Sequence, residues 1–120
     1  MTTTRQSIAD ALSTVTVTTP AGADLVIHGY PERPTVPLAG DAWPLVGSLD
    51  RGPGQTFETT WRIAVLLAGD VGTATDMFDA LIPAAIASLQ AEVFVDGAIP
   101  LTIPTEAGQL YGVEITARSE

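Results

Sequence analysis

No cysteine, no lysine and no asparagine occurs among the 120 residues. Without cysteine there are no disulfides, thiolate nucleophiles, zinc ribbons or iron–sulfur ligands, so thiol redox chemistry is excluded. Without lysine the cation that a P-loop lays on phosphates is missing, and neither a Gly-x-Gly-x-x-Gly nor a Walker A spacing is present, which sets nucleotide hydrolysis aside. Without asparagine there is no Asn-x-Ser/Thr glycosylation acceptor. His28 is the only histidine, so neither a Ser-His-Asp triad nor a two-histidine metal site assembles from local signals. Positive charge is scarce as well: five arginines face fourteen carboxylates, a net charge of −9 that repels nucleic-acid backbones rather than neutralising them. No apolar run approaches the roughly 20 residues that span a bilayer, and MTTTRQSIAD predicts neither a secretory nor a transit peptide.

The composition that remains, 46% hydrophobic and 16% charged, is that of a folding chain. Its length fits one core, so residues 1–120 read as a single domain, with no repeat and one long loop over Tyr30 to Pro44, which holds four of the nine prolines. Charge is uneven: the stretch from residue 63 onward carries eight acids against Arg118 alone. A solvated acidic face is the ordinary reading, and a surface that must not hold nucleic acid is the sharper one.

Spacing predicts the elements. Thr3-Thr4-Arg5-Gln6 has a capping-box pattern, and Ile8, Ala11, Leu12 and Val15 follow at helical intervals, giving a helix over about 4–14. The β-branched run Thr14 to Thr19 frays it and gives only a weak strand before Pro20 and Gly22; Asp24 to Tyr30 reads as a buried strand. Trp43–Leu49 and Phe57–Ala68 form a hairpin across Asp50 to Gln55. In the second of these strands Phe57, Thr59, Trp61, Ile63, Val65 and Leu67 share one face. The other face begins polar with Glu58, Thr60 and Arg62 and ends with Ala64, Leu66 and Ala68, the pattern of a central strand buried on both sides in its second half. A helix opens at Thr73 and Asp76 and runs through Met77, Leu81, Ala85 and Leu89, with a kink or two abutting helices expected at Pro83. Val93–Val95, Leu101–Ile103 and Leu110–Ala117 close the chain as a meander with turns at Asp96-Gly97 and Glu106 to Gly108. The fold class is α+β: a mostly antiparallel sheet with two helices packed on one face.

Chemistry-bearing constellations are thin. Asp70, Asp76 and Asp79 sit where acids cap a helix, and no calcium-loop spacing accompanies them, so no catalytic, cofactor-binding or metal-ligating residue is assigned. Trp61 alternates in phase with core residues, whereas Trp43, at a strand start beside Pro44, fits core packing and an anchor for a partner equally. Arg33 and Arg51 on loops and Arg62 on a strand are the cations available for pairing between subunits, exposed pairs within the chain being the plainer alternative. With Asp41 and Asp50 flanking them, the candidate interface residues are Arg33, Asp41, Trp43, Asp50, Arg51 and Arg62.

Five segments together resemble the tail terminator proteins of long-tailed bacteriophages: Arg5 to Leu12, Gly40-Asp41-Ala42-Trp43-Pro44, Thr59-Thr60-Trp61-Arg62-Ile63-Ala64-Val65, Ala74 to Leu81, and Tyr111 to Arg118. The resemblance implies a non-enzymatic virion protein at the head-proximal end of the tail, assembled in the host cytoplasm. Six copies would form a ring that caps the tail tube, stops its growth and docks the head connector. Its partners would be other copies of itself, the tail tube protein and the head-completion protein, with DNA passing through the lumen unbound and no membrane or cofactor involved. A neck subunit and a small non-catalytic ligand-binding module are the rival readings.

Overall fold

The computed structural model describes residues 4–18, 24–51, 57–90, 92–105 and 108–119; for 46–51, 57 and 71 it describes the backbone alone. In chain order the elements are α1 (Thr4–Leu12), β1 (Thr16–Thr18), β2 (Asp24–Val26), β3 (His28–Gly29), β4 (Asp41–Arg51), β5 (Phe57–Ala68), α2 (Val71–Leu89), β6 (Phe94–Thr105) and β7 (Gly108–Ser119). The main sheet has the order β3-β4-β5-β7-β6, antiparallel except for β3 against β4, and β1 and β2 form a small antiparallel pair of their own. The fold is α+β, as expected, and β5 is the central strand.

The alternation along β5 decides the layers. Trp61, Ile63, Val65 and Leu67 are buried with Ile8 and Leu12 of α1 and Leu81, Ala85 and Leu89 of α2, so both helices cover one face of the sheet. Ala42 from β4 and Val113, Ile115 and Ala117 from β7 extend that core to either side. Trp61 buries its ring there and donates from Nε1 to the Ser119 hydroxyl at 2.7 Å, which satisfies its one polar atom.

Several local expectations change. α1 stops at Leu12 because the Ser13 and Thr14 hydroxyls donate to the Ala9 and Ala11 carbonyls, satisfying groups that another turn would have used. The stretch read as one strand over 24–30 serves two sheets: β2 pairs with β1, Ile27 is buried and its amide donates to Val15, and β3 pairs with β4. The cap of α2 lies three residues before the predicted one, Thr73. Asp70 is the cap, accepting from the Gly72 and Thr73 amides at 3.2 and 3.0 Å and from the Thr73 hydroxyl, which moves Asp76 out of the first turn. Of the two outcomes expected at Pro83, two abutting helices do not form: α2 is one helix from Val71 to Leu89, with Leu81, Ala85 and Leu89 on both sides of the proline in one buried stripe against the sheet. The predicted turn at Asp96-Gly97 is instead a bulge inside β6, because residues on both flanks of it pair with β7. Pro20, Gly22, the 52–56 turn and Glu106-Ala107 lie outside the described residues.

Prolines sit where the sheet asks for no donor: on β4 beyond the two residues that β3 pairs, and on the outer strand β6. The Ala42 carbonyl accepts from Tyr30 on the outward side of β4, and Pro44, two residues on, faces the same way, where no donor is required. Pro100 and Pro104 lie on β6, an outer strand of the sheet.

The Asp70 cap gives a pH signature. Its hydrogen bonds, the Thr73 hydroxyl foremost, hold the carboxyl below its ordinary value of 3.8. A carboxyl depressed on folding contributes stability that is present above its unfolded value and lost as pH falls through the folded one. Asp70→Ala is therefore expected to lower the melting temperature at neutral pH and to bring the variant and parent curves together below about pH 4. Thermal melts across pH 2–7 check this.

Candidate functional site

Side chains that alternate away from the helices line the other face of the sheet, called here the outer face. Register places Trp43 beside Ala64, Leu66 beside Gly112, Leu101 beside Gly112 and Ile103 beside Leu110. Trp43, Ala64 and Leu66 pack into a second, smaller cluster, with Leu101, Ile103 and Leu110 half-buried against it. One end of the outer face is thus an apolar layer with no helix over it. Further along, the same face turns ionic. Arg62 pairs with Glu114, and Arg118 donates to Asp96 at 2.8 and 3.1 Å, lies 3.8 Å from Glu58 and stacks over the Phe94 ring at 4.9 Å.

The loop between β3 and β4 closes over the apolar end. Gly40 makes its last turn at φ +95°, and a Cβ there would stand 2.9 Å from the Val26 carbonyl oxygen, so glycine is required twice over. Asp41 latches the loop: buried at 6% exposure, its carboxylate accepts from the Leu38 amide at 2.9 Å while its own amide donates to the Leu38 carbonyl at 3.0 Å. Arg33, exposed, holds its guanidinium 5.8 Å from the centre of the Trp43 ring. Between this loop and the β6–β7 end of the sheet lies an open cleft of about 940 Å³. Val36, Leu38, Pro104 and Leu110 give it apolar walls, and among the described residues Arg33 is the one ionisable side chain that lines it.

Of the six candidate interface residues the fold gathers three, Arg33, Asp41 and Trp43, at this cleft. Two readings change there. Trp43 is 1% exposed and forms the floor under Arg33, so it supports the surface rather than presenting itself to a partner. Asp41 is spent on the loop latch. Arg62 lies farther along the outer face and already has Glu114, so its first anion is within the chain. Asp50 and Arg51 end β4 at the far side of the hairpin; their side chains, like the turn they flank, lie outside the described residues. His28 opens β3 exposed, its amide donating to the Gly40 carbonyl. Reasoning from the sequence missed Val36 and Leu38, which stand 70% and 63% exposed on the cleft wall. The one signal available was the apolar pair itself, inside a proline-rich stretch that otherwise has every mark of a solvated loop.

Because the Arg62 side chain is over half exposed, Arg62→Ala is expected to cost less than about 1 kcal/mol in a urea titration. A larger loss would mean that Glu114, mostly covered, is left as an uncompensated charge.

Among the described residues no three histidine, aspartate or glutamate side chains gather as a metal site, and no helix is long and apolar enough to cross a membrane. Neither family models, nor curated proteins, nor solved structures contain a match to this chain.

Proposed function

We propose that this chain is a structural subunit of a phage tail terminator: a closed ring of copies, six by the resemblance, that caps the tail tube, ends its growth and offers its opposite side to the head-completion protein. The observation that carries the reading is a sheet closed by helices on one face and left apolar, beside an open cleft, at one end of the other. Such a face is a surface for a neighbour rather than for a reaction, since among the described residues the cleft brings together one arginine and no acid, base or nucleophile pair. The five segments behind the resemblance also meet in space: Gly40–Pro44, Thr59–Val65 and Tyr111–Arg118 lie on or lead into the adjacent strands β4, β5 and β7, and Arg5–Leu12 of α1 and Ala74–Leu81 of α2 share the core that covers them.

The mechanism would be complementarity without turnover. One rim of the ring matches the last ring of tube protein, the other the connector, and the lumen passes DNA without holding it. The charge suits this: of the outer-face arginines, Arg62 and Arg118 are already neutralised by Glu114, Asp96 and Glu58, leaving them no free charge to clamp phosphate. The test is polymerisation of the cognate tube protein. With this chain present tubes are expected to stop at fixed length with the protein bound at one end; without it they overgrow. Unchanged lengths and bare tube ends in electron micrographs overturn the terminator reading, and twelve-fold rings bound to the head connector would put the neck subunit in its place.

A further inference from the structure

We propose that the cleft beside Arg33 is the socket for a second copy of this chain, filled by the outward side of that copy's α2, with Asp76 and Asp79 meeting Arg33. This names the joint between subunits and rests on the ring reading above. Three observations converge on it. Among the described residues the socket is mostly apolar with a single cation, and Arg33 has no carboxylate partner within the chain there, only the Trp43 ring beneath it. α2 carries two acids and no base, and Asp76 and Asp79 stand exposed three residues apart on the side turned away from the sheet, with no ion pair among the described residues. Around them that side is small and smooth: Thr73, Ala80, Pro83 and Ala87. A helix surface of this kind can lie on an apolar sheet face as closely as the chain's own helices lie on the other one.

Geometry makes the joint directional. α2 packs on the helix-covered face, while the cleft opens at the apolar end of the outer face, so the two patches are different surfaces on different layers of the molecule. A contact between unlike patches is head-to-tail: each copy offers its socket to one neighbour and its α2 to another, and the series ends only by closing on itself. It also places the anions of one copy against a cation of the next, which offsets part of the repulsion among copies that each carry −9.

The absence of cysteine makes the joint accessible to a clean trap. Leu38→Cys in one batch and Ala80→Cys in another, mixed and oxidised mildly, are expected to yield the mixed disulfide dimer well ahead of either like pair, whereas Leu38→Cys with Thr116→Cys, on the ionic part of the outer face, should not. In sedimentation, Arg33→Asp is expected to weaken self-association about tenfold or more, Asp76→Arg with Asp79→Arg likewise, and the three changes combined to recover most of the loss. Circular dichroism of each variant establishes that it is folded. Equal trapping of all pairs, or association and tube capping by Arg33→Asp at the level of the parent, overturns the socket while leaving the ring reading in place. Trapping and charge rescue in a protein that never stops tube growth would keep the socket and remove the terminator.

Discussion

Gly112→Ala is expected to lower the melting temperature by about 12 °C, and Gly112→Val to prevent folding altogether. Gly112 lies on β7 opposite Leu66, where the register of β5 slips before Ala68. A Cβ at this position would stand 2.0 Å from the Val65 carbonyl oxygen and 2.9 Å from the Leu66 Cα, both backbone atoms that no rotamer change can move. Relief requires the β5–β7 ladder itself to shift, at a cost of about 3 kcal/mol or more, toward the upper end for overpacking. Spread over the unfolding entropy of a domain this size, about 2.1 cal/mol/K per residue, that is the temperature shift stated. Gly97→Ala is the matched control: it also sits at a bulge, in β6, but a Cβ there meets nothing within 4 Å. The two variants melting alike would mean that the seam between β5 and β7 yields more easily than its backbone contacts imply.

Trp43→Ala is expected to cost about 3–5 kcal/mol, as for a large aromatic side chain removed from a packed site. The site is not the main core but the small cluster on the outer face, so a loss this large would establish that the layer under the cleft is part of what holds the sheet together. Trp43→Phe separates volume from polarity. The Trp43 Nε1–H is buried and has no acceptor among the described residues, a burden of about 1–3 kcal/mol that phenylalanine removes. Trp61→Phe instead deletes a bond to the Ser119 hydroxyl. In urea titrations followed by circular dichroism, Trp43→Phe is therefore expected to be the milder of the two, and the reverse order would show that its indole N–H is satisfied after all.

Most of the framework was legible in the sequence because the sheet obeys a period of two and the helices a period near 3.6. β5 is the clearest case: the change from Thr60 and Arg62 to Ala64 and Leu66 on one face foretold a strand that leaves water halfway along, and Trp43, Leu101, Ile103 and Leu110 are what cover it. Where two devices competed, local spacing chose wrongly. Thr73 with Asp76 makes a good capping pattern, but Asp70 captures two amides and a hydroxyl three residues earlier. Asp96-Gly97 is a fine turn by composition, yet long-range pairing with β7 on both flanks makes it a bulge. The site was harder to read because its parts come from distant places. Arg33 and Trp43 were named, but not that one lies over the other; for Arg62 a pair within the chain was the plainer alternative, but Glu114, which fills it, is its neighbour only through the β5–β7 register. The cleft itself belongs to no segment, since its walls are the 33–39 loop and the end of the β6–β7 hairpin.

The strand order also sets how the molecule comes together in time. β4 with β5 and β6 with β7 are hairpins between consecutive strands, formed by short-range closure on a microsecond scale. The β5–β7 seam is different: it joins Trp61 to Ala117 and Ile63 to Ile115 across the whole of α2 and β6, so its loop entropy must be met before any of its contacts reward it. Two preformed hairpins docking along one seam, with α2 as the tether, is the step that commits the chain. β7 is also the fifth of the five sheet strands to be synthesised, yet it pairs on both sides. A nascent chain therefore carries β5 with one flank unpaired until β7 emerges, and the helix-covered core, which needs both strands, closes only then.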